Sequence, residues 1–152
     1  MVYSIIVPTM DAELVRSSHR NGVRGVAFAQ STSEIFATCG YSGIRLQRFR
    51  SVNEHARIEV PNVSSVTKFQ NSLAIVSGGS EGQVRLWKLN RDDQQLVATM
   101  KEHRMAVTAA WVTQDDLECV SSGSDGYILT YSLTRHIRLK QMIKTANFEG
   151  VD

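Results

Sequence analysis

Ser77-Gly78-Gly79-Ser80-Glu81-Gly82-Gln83-Val84-Arg85-Leu86-Trp87 has an echo further along the chain, Ser121-Ser122-Gly123-Ser124-Asp125-Gly126-Tyr127-Ile128-Leu129-Thr130-Tyr131. Each stretch ends a short strand, turns through a small polar loop closed by Gly, and runs into a second strand that stops at an aromatic. Gly supplies the positive φ that such a hairpin turn needs. Gly82 to Gly126 and Trp87 to Tyr131 are both steps of 44. Val23, Val66 and Val107, at the head of three apolar runs, give steps of 43 and 41. Self-similarity at this period, built from strand and turn signals, predicts blades of a β-propeller.

Working outward from the pair, alternating apolar runs fall into cycles of four. One cycle holds 23–28, 34–39, 44–49 and 56–60; the next holds 63–69, 72–77, 83–89 and 95–100. A third holds 106–112, 117–122, 127–133 and 140–143. The blades predicted are therefore 19–62, 63–102 and 103–144. Tyr3 to Val7 and Glu13 to Ser17 read as the third and fourth strands of a preceding blade, 1–18. Residues 145–152 read as the first strand of a further one. A ring closes with about four to eight blades, so the fold expected is all-β, an incomplete propeller completed by further sequence or another chain.

The 152 residues are 42% hydrophobic and 21% charged, a globular composition. The net charge of +2 gives no reason to expect nucleic acid. No apolar stretch approaches the roughly 20 residues of a membrane span, and the start lacks the pattern of a secretory signal. A cytoplasmic protein with no membrane partner is expected. Cys39 and Cys119 sit singly inside apolar runs and read as buried free thiols. Neither has the close second Cys of a metal knuckle, so no metal or other cofactor is expected.

The repeats resemble the WD-repeat family. In that family a His ahead of the first strand, a Ser or Thr on the second, an Asp in the next turn and a Trp on the third form a hydrogen-bonded network. His103, Ser121 and Asp125 match it, with Tyr131 in the Trp place. The second blade keeps Ser77 and Trp87 but has Glu81 for Asp and no upstream His. The first keeps His19 and Thr38, with Ser42 for Asp and no Trp. Three stretches, 34–39, 77–87 and 101–103 with 116–126, together with the tail 138–143, resemble a ciliary branch of the family. Its members are double propellers that line the lumen of doublet microtubules.

That resemblance implies a non-catalytic scaffold of cilia and flagella, located in the axonemal cytoskeleton, with tubulin and neighbouring inner proteins as partners. It also implies a further blade where Val60-Pro61-Asn62-Val63 leads straight into the second one. Arg135, Arg138, Lys140 and Lys144 would give a basic rim for an acidic partner. The alternative is a WD-repeat adaptor that binds peptide segments in another cytosolic complex. A hydrolase built on Ser121, His103 and Asp125 is not expected. Nucleophilic catalysis needs an exposed Ser, a cleft and an oxyanion hole, whereas this spacing puts Ser121 inside the sheet packing. His55 and His136 read as solvated turn residues.

Overall fold

The computed structural model describes residues 19, 22–28, 35–48, 54–69, 71, 74–89, 93–134 and 137–145. The partial blade at 1–18, Arg135, His136, the turn residues 90–92 and all but Thr145 of the last stretch lie outside them.

Twelve strands form three four-stranded sheets, and the fold is all-β. The first sheet holds β1 (Gly25–Phe28), β2 (Ile35–Gly40), β3 (Gly43–Arg48) and β4 (Glu54–Ile58). The second holds β5 (Val63–Lys68), β6 (Ala74–Gly79), β7 (Val84–Leu89) and β8 (Gln94–Met100). The third holds β9 (Val107–Val112), β10 (Glu118–Gly123), β11 (Tyr127–Ser132) and β12 (Arg138–Lys144). Each sheet is an antiparallel meander in sequence order, as a propeller blade requires. The expected strands are found, with shifts of one or two residues at most ends.

The sheets stack face to face, with β1 and β2 against β5, and β5 and β6 against β9. Between the first two lie Ala37, Cys39, Ile44 and Leu46 against Val66, Ile75 and Trp87. Between the second and third lie Val76, Val84, Leu86 and Met100 against Val112, Cys119, Leu129 and Tyr131. Burying one such aliphatic or aromatic side chain stabilises by about 1.5–3 kcal/mol. The middle sheet is covered on both faces, which explains its sequence. In β6 five consecutive residues are buried, while β10 alternates because one of its faces is open.

Hydrogen bonds tie neighbouring blades at both ends of the stack. At the hairpin end Asn62, in the link between the first two blades, accepts from Ser80 N at 2.9 Å and donates to Tyr41 O at 3.1 Å, and Ser64 Oγ donates to Val107 O at 2.5 Å. Arg24 donates to Ser80 Oγ at 3.0 Å and Tyr41 OH at 2.8 Å, and its guanidinium lies 4.1 Å from the centre of the Tyr41 ring. At the other end Asn71 N donates to Asp116 Oδ2 at 2.7 Å, and its side-chain amide donates to Gln114 O at 2.9 Å.

Gly82 and Gly126 hold equivalent turn positions at φ 96° and 84°. A Cβ on Gly126 would meet only Thr145 Oγ1, at 3.7 Å, while one on Gly82 would collide with the His103 carbonyl. Gly126→Ala is expected to cost about 1 kcal/mol of backbone strain. Gly82→Ala must also displace the loop that carries His103, and about 2–4 kcal/mol is expected. Urea unfolding of the two variants checks the order; equal costs would contradict it.

Candidate functional site

One position recurs in every sheet: a hydroxyl two residues before the end of the second strand. It is Thr38 in β2, Ser77 in β6 and Ser121 in β10, and all three are buried. A buried hydroxyl needs partners, and each blade supplies different ones.

In the third blade His103 Nε2 lies 2.8 Å from Ser121 Oγ, and Nδ1 lies 3.2 Å from both Asp125 oxygens. A neutral ring satisfies both, with Nδ1–H donating to the carboxylate and Nε2 accepting from Ser121. Asp125 also accepts from Arg104 N at 2.8 Å and Tyr127 N at 3.1 Å. Burial works to raise the Asp125 carboxyl, but the two amides and His103 outweigh it and hold it below the usual carboxylate range. Tyr131 packs beside this chain of bonds, yet its hydroxyl is buried without a hydrogen-bond partner. Burial pushes that phenol up.

In the second blade Trp87 Nε1 donates to Ser77 Oγ at 2.9 Å. The link from β4 to β5 has four residues, 59–62, where the link from β8 to β9 has six, 101–106. The shorter link carries Glu59, not a histidine, at the place four residues before its strand that His103 holds before β9, and Ser77 is met by Trp87 instead. Glu81 stays exposed and lines a cleft of about 820 Å³ with Ser80, Lys101, Glu102 and Arg104.

In the first blade His19 Nε2 lies 2.9 Å from Thr38 Oγ1, and Nδ1 lies 3.0 Å from Ser42 Oγ. Gln47, unremarked in the sequence, is buried and donates to Thr38 at 3.3 Å. Its place is fixed by register. The hairpin between β2 and β3 pairs Gly40 with Gly43, leaving two loop residues where the later hairpins have three. Gln47 therefore pairs with Phe36 as Trp87 pairs with Ile75. Counting from the turn glycine points one residue too far; only the pairing identifies Gln47.

Of the basic residues, Arg138, Lys140 and Lys144 lie on β12, the outer strand. Arg138 and Lys144 are exposed, whereas Lys140 makes an ion pair with Glu118. Both thiols are fully buried; burial pushes Cys39 up to about 11, against the pull of Arg24, and Cys119 up to about 12. Neither is a nucleophile at neutral pH. Among the described residues no group of His, Cys, Asp and Glu could hold a metal. Lys68 on β5 was not singled out in the sequence; it is buried, and its ammonium has no hydrogen-bond partner.

No family model matches the chain. Curated relatives do. A protein of Macaca fascicularis is 31% identical over 142 residues, covering 93% of this chain and 24% of the relative. One of Chlamydomonas reinhardtii is 28% identical over 195 residues, 99% of this chain and 32% of its own length. One of Homo sapiens is 25% identical over 187 residues, 93% and 30%. All three are named cilia- and flagella-associated protein 52. The chain resembles that protein. It spans 24–32% of the length of these relatives. The human match runs over 187 residues while 93% of this chain is only about 141, so about 46 positions are unmatched, close to one blade.

Asp125→Ala is expected to lower stability by about 1–3 kcal/mol by stranding the His103 and backbone donors; an unchanged melting temperature would refute that. Because the folded Asp125 carboxyl lies below its ordinary value of 3.8, its contribution is present above that value and fades as pH falls through the depressed one. Asp125→Asn should therefore lose less stability than the wild type on acidification, as read from thermal melts at about pH 2–5. Lys68 behaves oppositely. Burial lowers its pKa from 10.5, so the folded state bears a cost at neutral pH that disappears as pH rises towards 10.5. Lys68→Met is expected to stabilise by about 1–3 kcal/mol at pH 7, with the gain shrinking in melts at higher pH.

Proposed function

We propose that this chain is part of a non-catalytic scaffold of cilia and flagella, working in the lumen of doublet microtubules against tubulin and neighbouring inner proteins. The observation that carries the reading is the resemblance to cilia- and flagella-associated protein 52 over 93–99% of the chain. The molecule's construction supports it. Stacked sheets bonded at both ends make a stiff block, and stiffness suits a protein wedged in a lattice. The His103, Ser121 and Asp125 network is assigned a structural role. Ser121 is 1% exposed and its hydroxyl is engaged by His103, so it is not presented to a substrate.

Contacts to the acidic tubulin surface fall to Arg138 and Lys144, the exposed charges on β12; Lys140 contributes less because Glu118 already neutralises it. The second reading, a peptide-binding adaptor, is favoured by one feature, the mixed-charge cleft between Glu81, Lys101, Glu102 and Arg104. A tagged copy expressed in ciliated cells separates the two. An axonemal signal that resists high-salt extraction is expected, since salt screens surface ion pairs but releases a wedged protein poorly. A purely cytosolic signal would overturn the ciliary reading and leave the adaptor.

A further inference from the structure

Arg24 joins the first blade to the second through a contact that the repeat does not require. It stands two residues before Val26, as Ser64 stands before Val66 and Thr108 before Ala110; the pairing sets Val26, Val66 and Ala110 opposite the three buried hydroxyls. Two blades therefore hold a hydroxyl residue where the first holds a guanidinium. That guanidinium is fixed by Tyr41, whose ring centre is 4.1 Å away and whose OH accepts from one of its nitrogens. A second nitrogen donates to Ser80 Oγ at 3.0 Å. Ser80 has the place that Ser124 holds in the third blade; Ser124 is exposed and no basic side chain bonds it among the described residues. The Ser80 hydroxyl donates to nothing among the described residues and opens on the cleft of about 820 Å³ that Lys101 and Arg104 also line. Three positive groups, Arg24, Lys101 and Arg104, thus stand near Ser80, against two negative ones, Glu81 and Glu102.

We propose that Ser80 is a phosphorylation site, and that phosphoserine there, clamped by Arg24, locks the first blade to the second. A protein kinase supplies the group from ATP. Ser80 Oγ bonds the γ-phosphorus, the bond from that phosphorus to the β-phosphate oxygen breaks, ADP leaves, and the hydroxyl proton passes to the kinase's base. The phosphoryl brings nearly two negative charges at neutral pH. It turns the neutral bond from Arg24 into a charge-assisted, bidentate one. Glu81, the next residue, repels it, but that side chain is exposed and water screens it. The seam on which the clamp acts also holds the unpaired ammonium of Lys68, which stands opposite Ile75 of the cluster between the first two sheets. A switchable bond across that seam therefore changes how firmly the two blades stay together.

Phosphoserine placed at position 80 during synthesis, by an expanded genetic code, tests the clamp on the full chain. Its melting temperature at neutral pH should exceed that of the unmodified chain by about 3–6 °C. The gain should fade as pH falls below about 6, where the phosphoryl takes up its second proton. In an Arg24→Gln background the same modification should give no rise, each increment being read against its own unmodified chain. A fall in melting temperature, or an equal rise without Arg24, overturns the clamp. Occupancy is read separately on a tagged copy recovered from ciliated cells. The tryptic peptide 69–85 should carry a phosphoryl group on Ser80, told apart from Ser72 and Ser77 by fragmentation. Ser80 found unmodified there overturns the proposal, whatever the melts show.

Discussion

The buried hydroxyl of the second strand is the constraint on which each blade depends. Thr38, Ser77 and Ser121 sit where a side chain has no access to water. A hydroxyl left unsatisfied there costs about 1–3 kcal/mol. Each blade must bring a partner to that point from a strand or loop distant in sequence. That requirement fixes where the loop before the first strand lies in two of the blades. It also fixes the third strand in two: Trp87 and Gln47 reach the hydroxyl from β7 and β3. Geometry decides which partner serves. An indole N–H projects sideways and reaches Ser77, whereas the Tyr131 hydroxyl lies at the far tip of its ring and makes no bond. In that blade His103 and Asp125 carry the load instead.

Much of this was legible in the chain because it is local and periodic. The 44-residue step from Gly82 to Gly126 located the hairpins, and alternating apolar runs located the strands around them. His103, Ser121 and Asp125 could be grouped because the loop and hairpin that carry them are near in sequence. What escaped depends on pairing rather than composition. Gln47 occupies its place because one hairpin is a residue shorter than the others, a difference visible only in the register. Lys140 looked like a free rim charge, but a bulge in the pairing of β11 with β12 places it against Glu118. Lys68 gave no signal at all. A lysine on an innermost strand reads as a solvated edge residue until the neighbouring sheet is seen to cover it.

The middle sheet shows how little freedom stacking leaves. Its second strand is buried on both faces, so the alternation that reveals a half-exposed strand is erased there and a continuous run, Ile75 to Gly79, takes its place. Gly78 lies where β9 comes closest: a Cβ would collide with the Val107 side chain. The small residues of the repeat motif are therefore set by the neighbouring blade as much as by the turn they precede.

The human match holds an unmatched stretch of about one repeat, which the Macaca fascicularis match does not. A gap of whole-repeat size is one that a modular stack absorbs without leaving a partial sheet. Losing part of a repeat would leave a sheet short of a strand, with a row of unpaired backbone groups at its edge. Losing a whole one brings a trailing face against a leading face of the same kind. The junction between the first and second blades shows the form that a contact between blades takes. Asn62, at φ 55°, accepts from Ser80 N and donates to Tyr41 O, so a four-residue link ties two hairpins. Asn tolerates that left-handed backbone at little cost. The link holds no histidine, and the second blade's hydroxyl is met by Trp87.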